Sequence, residues 1–213
     1  MSLLNLSDDE IYYLTTIADV KSIGRLSQTH SRLRNLCLTP RFRQIIEKKI
    51  VEELHKRYES KEFALIEMSR IGALYRVDLL LQSGTNPSDY ALTEASRSGH
   101  IAVVNRLLED PRFDPDWSRG AGAIEAACWT GHLAIVNRLL EDSRLHPGSS
   151  ILAAAASGHL DIVKRLLDWR AFGPRSALIQ QILLHDIKQA LKLAQNLARQ
   201  EVAKFLSQYL NMS

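Results

Sequence analysis

Apolar residues in the second half of the chain recur at helical spacing, and the same pattern returns in successive segments. Ile135, Val136, Leu139 and Leu140 stand three and four residues apart, which places them on one face of a helix. Segments 98–108, 130–140 and 157–167 are near copies of one another, and segment 71–81 is a weaker copy. Their glycines at positions 72, 99, 131 and 158 are 27, 32 and 27 residues apart. The pattern predicts an array of repeated units.

Each unit is predicted to contain two short helices. An alanine-rich stretch such as 153–156 favours close packing of neighbouring helices, and the glycine ends that helix because glycine adopts the left-handed conformation without strain. The amphipathic second helix follows, and a loop rich in Pro and Asp, such as 110–116, ends the unit. One unit cannot bury its own apolar stripe, so the units are expected to stack into a helical solenoid.

Residues 63–170 resemble ankyrin repeats, most closely in the Gly-His turn and the second helix with its paired leucines. The Thr-Pro-Leu-His opening of that family is absent. Other residues stand at the matching positions, which are 90–93, 122–125 and 149–152. Two of the steps are shorter than the ~33 residues of the family, so some projecting β-turn fingers are expected to be trimmed. The resemblance implies a binding surface for a protein substrate on the concave side of the array.

The last part of the chain, residues 171–213, is predicted to be a degenerate final repeat that caps the solenoid. Gly173-Pro174 interrupts the repeat, and 176–189 has the apolar spacing of an additional helix. The stretch 201–206 lines up with 161–166, but the turn before it lacks the glycine.

Residues 1–62 contain no repeat. Asp8-Asp9-Glu10 suits the first turn of a helix, and Thr39-Pro40 is a good start for another. We predict a three-helix module over 1–45 and a connecting helix over 46–62, which makes the fold all-α: a front module, a helical solenoid and a helical cap.

The front module resembles an F-box. The residues that fall at the positions of that family are Leu6, Asp19, Ile23, Arg25, Leu26, Ser27 and Pro40. Three residues depart from its pattern: Ser7 and Val20 replace prolines, and Ala18 replaces a leucine. The resemblance implies docking on the Skp-type adaptor of a cullin–RING ubiquitin ligase. The adaptor-binding residues would be Leu6, Ser7, Glu10, Ile11, Leu14, Ile17, Ile23, Leu26, Leu33 and Pro40.

In the ankyrin family, the two residues before each glycine lie on the concave face. Trp129 is a large aromatic residue at such a position, and Trp and Arg dominate binding hot spots. The predicted substrate-binding residues are Arg70, Tyr90, Arg97, Trp117, Trp129 and Thr130, and the arginines suggest a partner segment that is acidic or mixed apolar and acidic. The alternative is that Trp129 packs onto the neighbouring alanine-rich helix as part of the core.

Composition narrows the possible functions. Of 213 residues, 46% are apolar and 24% charged, and the net charge of +3 is too small to indicate nucleic-acid binding. Two cysteines make neither a metal motif nor a disulfide framework, and no apolar run approaches the ~20 residues of a membrane span. The three Gly-His histidines stand about a helix diameter (~10 Å) apart, too far for a shared metal, so they are expected to be structural.

No motif of a phosphate-binding loop, a hydrolase or a metalloprotease occurs, so neither catalysis nor a cofactor is expected. The sequence predicts the substrate-recognition subunit of a ubiquitin ligase, a monomer outside its complex, in the cytoplasm of a eukaryotic cell or of an infected host cell. A plain ankyrin scaffold or inhibitor, with front helices that only cap the solenoid, is the alternative.

Overall fold

The computed structural model describes residues 40–115, 117–172 and 177–212, and every regular element in these ranges is a helix. The helices are α1 Pro40–Tyr58, α2 Lys61–Arg70, α3 Leu74–Gln82, α4 Asp89–Arg97, α5 Ile101–Leu108, α6 Trp117–Thr130, α7 Leu133–Glu141, α8 Ser150–Ser157, α9 Leu160–Phe172, α10 Ala177–Asn196 and α11 Gln200–Met212. None of them is both long and apolar enough to cross a membrane.

The helices form two layers. α2, α4, α6, α8 and α10 contact one another in succession as the inner layer, and each packs on the outer-layer helix that follows it in the chain. α1, α3, α5, α7, α9 and α11 form the outer layer, whose members also contact in succession. Contacts are more extensive in the inner layer, where fully or almost fully buried alanines such as Ala91, Ala95 and Ala127 let the helices approach closely. The described residues therefore form five stacked helix pairs preceded by α1.

The predicted core is confirmed. Val104, Leu107, Val136, Leu140, Val163 and Leu167 are all buried, and they belong to one continuous cluster that extends from α1 to α11.

The predicted glycine turns are also confirmed, and each is closed by the next unit. Gly131 has φ +83°, and the ring of His159 lies where a glycine side chain would be: a Cβ added at Gly131 would stand 2.5 Å from that ring. In the two preceding units, the Nε2–H of His100 donates to the carbonyl of Arg70 (3.0 Å) and that of His132 to the carbonyl of Arg97 (3.2 Å). These histidines thus tie one unit to the next.

A second polar ladder joins the outer helices. In three successive units the arginine of one helix donates from Nε to an Asp or Asn of the helix before it: Arg106 to Asp78 (2.7 Å), Arg138 to Asn105 (2.9 Å) and Arg165 to Asn137 (2.7 Å). In the last unit Phe205 takes the place of the arginine, and the ammonium of Lys164 lies 5.5 Å from the centroid of its ring. A cation–π contact replaces the hydrogen bond there.

The two helices α10 and α11, which follow Gly173-Pro174, form a fifth unit, although this unit lacks the glycine. Ala198 takes its place with φ +55°, and the amide of Arg199 donates to the carbonyl of Ala194, as His100 does to Ala95. Arg199 also replaces the histidine, since its Nε donates to the carbonyl of Ala156 (3.0 Å) and its side chain lies against Gly158.

One helix boundary differs from the predictions. α1 is helical from Pro40, the first residue that the structure describes, and it is continuous across residues 45 and 46, where the predicted front module and the connecting helix meet. α10 continues to Asn196 rather than ending near Gln189, because no glycine or proline interrupts it and buried Ala190 and Ala194 extend its apolar face. Of the predicted adaptor-binding residues, only exposed Pro40 falls within the described residues.

Two loop carboxylates, buried Asp110 and partly buried Asp142, are expected to make the array sensitive to acid. Arg112 donates to Asp110, and Arg144 donates to Asp142; both arginines also donate to carbonyls of the preceding unit, at Leu81 and Leu108. The hydrogen bonds from these arginines hold the pKa of each carboxyl below its usual range. Because the folded pKa is lower than the unfolded value of about 3.9, this stabilisation is complete above that pH and is lost as pH falls through the folded pKa.

We therefore expect the urea midpoint to fall steeply below about pH 4. The double change Asp110→Asn and Asp142→Asn should flatten this dependence, by at most about 1.4 kcal/mol per pH unit for each carboxyl. Asp168→Asn is the matched control, because Asp168 is exposed and has no ion-pair partner in the described part of the chain. Equal slopes in the double variant and the wild type would contradict this role.

Candidate protein-binding surface

One side of the inner helices is formed by three positions of each unit: two, five and nine residues before the left-handed turn residue. These positions are exposed or half-buried except at Ala126, Ala153 and Ala156, which are buried. These spacings place the three side chains on one face of a helix. We call this surface the inner face; its residues are Phe63, Glu67 and Arg70 on α2, Tyr90, Glu94 and Arg97 on α4, Gly122, Ala126 and Trp129 on α6, Ser149 directly before α8 with Ala153 and Ala156 on it, and Gln189, Leu193 and Asn196 on α10.

The arginines of the inner face are paired with glutamates one turn earlier on the same helix. Arg70 donates from Nη2 to Glu67 (2.9 Å), and Arg97 donates from Nε to Glu94 (3.3 Å). The hydrogen bond that Arg70 donates to the carboxylate of Glu67 raises the pKa of Arg70. These pairs leave α2 and α4 without net charge on the inner face, so the expectation that the two arginines attract an acidic partner is not supported.

Trp129 is the large apolar residue at the centre of the inner face. Its side chain is 49% exposed, so it does not belong to the core. Its indole N–H has no hydrogen-bond partner among the described residues and remains able to donate. An aromatic side chain with one apolar face and a free donor is a common anchor in protein interfaces.

The other predicted binding residues are only partly brought together. Thr130 is exposed beside Trp129, although its hydroxyl donates to the carbonyl of Ala126 (2.9 Å). Tyr90 is 59% exposed, in the first turn of α4. Trp117 is the first residue of α6, twelve residues before Trp129, so the backbone positions of the two tryptophans are about 18 Å apart along the helix and are not brought together.

One predicted surface position is buried. Ala156 stands two residues before its glycine, as Trp129 does, yet it is only 2% exposed. The side chain of Arg199 from the fifth unit reaches the carbonyl of Ala156 and lies against the adjacent turn.

Two lysines on α10 extend the surface and were missed from the sequence. Lys188 and Lys192 are exposed, and they share a side of α10 with Asn196, since the three are spaced by four residues. Neither lysine has an ion-pair partner in the described ranges. The alignment of 201–206 with 161–166 is consistent with their place on the solvent side of an inner helix, but without the glycine the sequence predicts only a cap for this segment.

Reactive groups are scarce on this surface. Cys128, directly before Trp129, is fully buried, and burial raises the pKa of its thiol to about 12. The thiol therefore stays protonated at neutral pH and is a poor nucleophile. The described residues contain no group of three or more His, Cys, Asp or Glu side chains placed to bind a metal ion.

Among solved structures, the human ASB11 ankyrin repeat domain is similar to this chain. The TM-score is 0.50 and the sequence identity 26%, over 68% of this chain and 68% of that one. No protein-family model matches the sequence, and no curated protein matches it. The structural likeness supports the predicted ankyrin repeats, and an array of this kind is typically a protein-binding scaffold without catalytic activity.

Proposed function

We propose that this protein is the substrate-recognition subunit of an SCF-type ubiquitin ligase. In this proposal residues 1–45 dock on the Skp-type adaptor, and the inner face of the repeats holds a protein substrate. The protein contributes no chemistry itself; it raises the effective concentration of substrate lysines near the ubiquitin-conjugating enzyme.

The exposed, unpartnered Trp129 on the inner face is the observation that best supports the substrate-binding half of the proposal. The array is stabilised by left-handed turns, buried leucines and two ladders of hydrogen bonds between units. Trp129 belongs to none of these features. The F-box resemblance of residues 6–40 supports the adaptor-binding half.

One observation favours the alternative, a scaffold or inhibitor with no link to ubiquitin. α1 packs on both α2 and α3 and buries Val51 and Leu54, so the segment that joins the front module to the repeats already covers the first helix pair. A front module that continued this packing would serve as an N-terminal cap. The two functions differ in whether purified Skp-type adaptor binds.

We expect the wild-type protein to bind the purified Skp-type adaptor, and the double change Leu14→Asp and Leu26→Asp to abolish this binding. Both leucines match the docking positions of the F-box family, and a charge buried there without a partner costs several kcal/mol. Binding would be measured by isothermal titration calorimetry, and circular dichroism would verify that the variant retains its helices.

Trp129→Ala is the matched control, because it changes the inner face and leaves residues 1–45 intact. It should bind the adaptor with unchanged affinity and melt within a few degrees of the wild type. If the wild-type protein fails to bind the adaptor, the ubiquitin ligase function is excluded and the scaffold function is left. A large drop in the melting temperature of Trp129→Ala would instead assign that residue to the core.

A further inference from the structure

Among the described residues, α10 carries positive charge without an ion-pair partner at Lys188 and Lys192, and Arg199, which follows α10, adds a third such charge. The arginines of α2 and α4 are paired with glutamates, whereas exposed Lys188 and Lys192 have no such partner within the described residues. An acidic partner residue would therefore gain more binding free energy at the lysines of α10 than at Arg70 or Arg97, where it would compete with the glutamate that already pairs with each arginine.

α8 separates Trp129 from these lysines and carries no charge. Its sequence from Ser150 to Ser157 holds only Ser, Ile, Leu and Ala, and Ala153 and Ala156 are buried. The surface thus runs from an aromatic anchor on α6, over a neutral helix with small side chains, to two lysines on α10. The side chain of Arg199 covers the C-terminal turn of α8 at Ala156, so a chain that crosses α8 would pass over its earlier turns, at the small side chain of Ala153.

The spacing of α6, α8 and α10 sets the distance between Trp129 and the two lysines. α6, α8 and α10 contact in succession, and packed helices lie 8–10 Å apart, so the lysines are roughly 20 Å from Trp129. An extended chain advances about 3.3 Å per residue, so about six residues cover this distance.

We infer that the inner face, together with the adjoining Lys188 and Lys192, binds an extended segment of its protein partner. In that segment an aromatic or large aliphatic residue packs on Trp129, and an acidic residue about six positions away pairs with Lys188 or Lys192. This inference rests on the inner face as the substrate surface of the proposed function. Exposed Glu125, one turn before Trp129 on α6, disfavours an acidic residue directly beside the anchor. The partner segment is thus defined by its spacing as well as by its composition.

A random dodecamer peptide library displayed on phage tests the inference on the full chain. We expect the enriched peptides to share a large apolar residue and an Asp or Glu five to seven positions away. A synthetic peptide with the enriched sequence should lose at least tenfold in affinity towards Trp129→Ala and towards Lys188→Glu with Lys192→Glu. Arg70→Gln with Arg97→Gln is the matched control and should change its affinity less than threefold.

Reversing the charge on both the peptide and the protein should restore binding. The same peptide with Lys in place of its acidic residue should bind the Lys188→Glu, Lys192→Glu variant better than it binds the wild type, which a misfolded variant could not produce. No enrichment, enriched peptides that bind all variants equally, or loss of binding in the Arg70, Arg97 control would each overturn the inference. Adaptor binding is measured separately with the purified Skp-type adaptor. Its absence would exclude the ligase function while leaving the peptide result intact.

Discussion

Gly131→Ala should lower the free energy of unfolding by about 2–5 kcal/mol. Two effects combine at this position. An alanine at φ +83° is destabilised by roughly 1–2 kcal/mol because its backbone would be left-handed. Its Cβ would also stand 2.5 Å from the ring of His159, closer than van der Waals contact allows. The ring cannot move without losing its packing between two units, so overpacking adds to the backbone penalty.

Gly84→Ala separates the two effects. Gly84 has φ +90°, but a Cβ there would meet nothing within 4 Å, so this variant should show the backbone penalty alone, about 1–2 kcal/mol. The double variant Gly131→Ala, His159→Ala should cost less than the sum of its single changes, because the smaller side chain removes the clash. Urea unfolding followed by circular dichroism measures all four. Equal losses for Gly131→Ala and Gly84→Ala would show that the histidine ring does not constrain the turn.

The fifth unit shows the same principle in the natural sequence. Ala198 occupies the left-handed position with φ +55°, and it is exposed; within the described residues no histidine packs against it. Alanine is therefore tolerated there at the backbone penalty alone.

Features that depend on nearby residues could be predicted from the sequence. The glycine turns, the second helices and the buried leucines follow from spacings within one unit, and the structure confirms them. The ladders from Arg106 to Asp78 and from Arg144 to Leu108 join residues 28 and 36 positions apart, and their existence depends on the register of neighbouring helices. No local pattern sets that register.

The candidate surface divides in the same way. The exposure of Trp129 follows from its position before the glycine, and the structure places it as expected. Glu67 neutralises Arg70 from three residues earlier on the same helix, and this pair was missed from the sequence. The arginines were compared at equivalent positions of successive units and not with their neighbours on the same helix. Lys188 and Lys192 were missed because an alanine at position 198 gives no sequence signal of a turn; its φ of +55° and the contacts of Arg199 with the fourth unit reveal the turn in the structure.

Leu139→Ala in the third unit should lower the free energy of unfolding by about 2–5 kcal/mol, and Leu206→Ala in the fifth should lower it less. The two leucines hold the same position after their turn residues, and both are fully buried, so the lost transfer free energy is similar. They differ in their neighbours: α7 contacts outer helices on both sides, whereas α11 contacts α9 alone in the outer layer.

In a stacked array the loss at a central unit breaks two interfaces, while the loss at the end is confined to one helix pair that can open locally. Leu206→Ala should therefore speed amide hydrogen exchange in α10 and α11 and leave α4 to α7 protected. Leu139→Ala should shift the whole urea transition. Equal shifts for the two variants, with uniform loss of protection, would mean that the five helix pairs unfold as one cooperative core rather than as coupled neighbours.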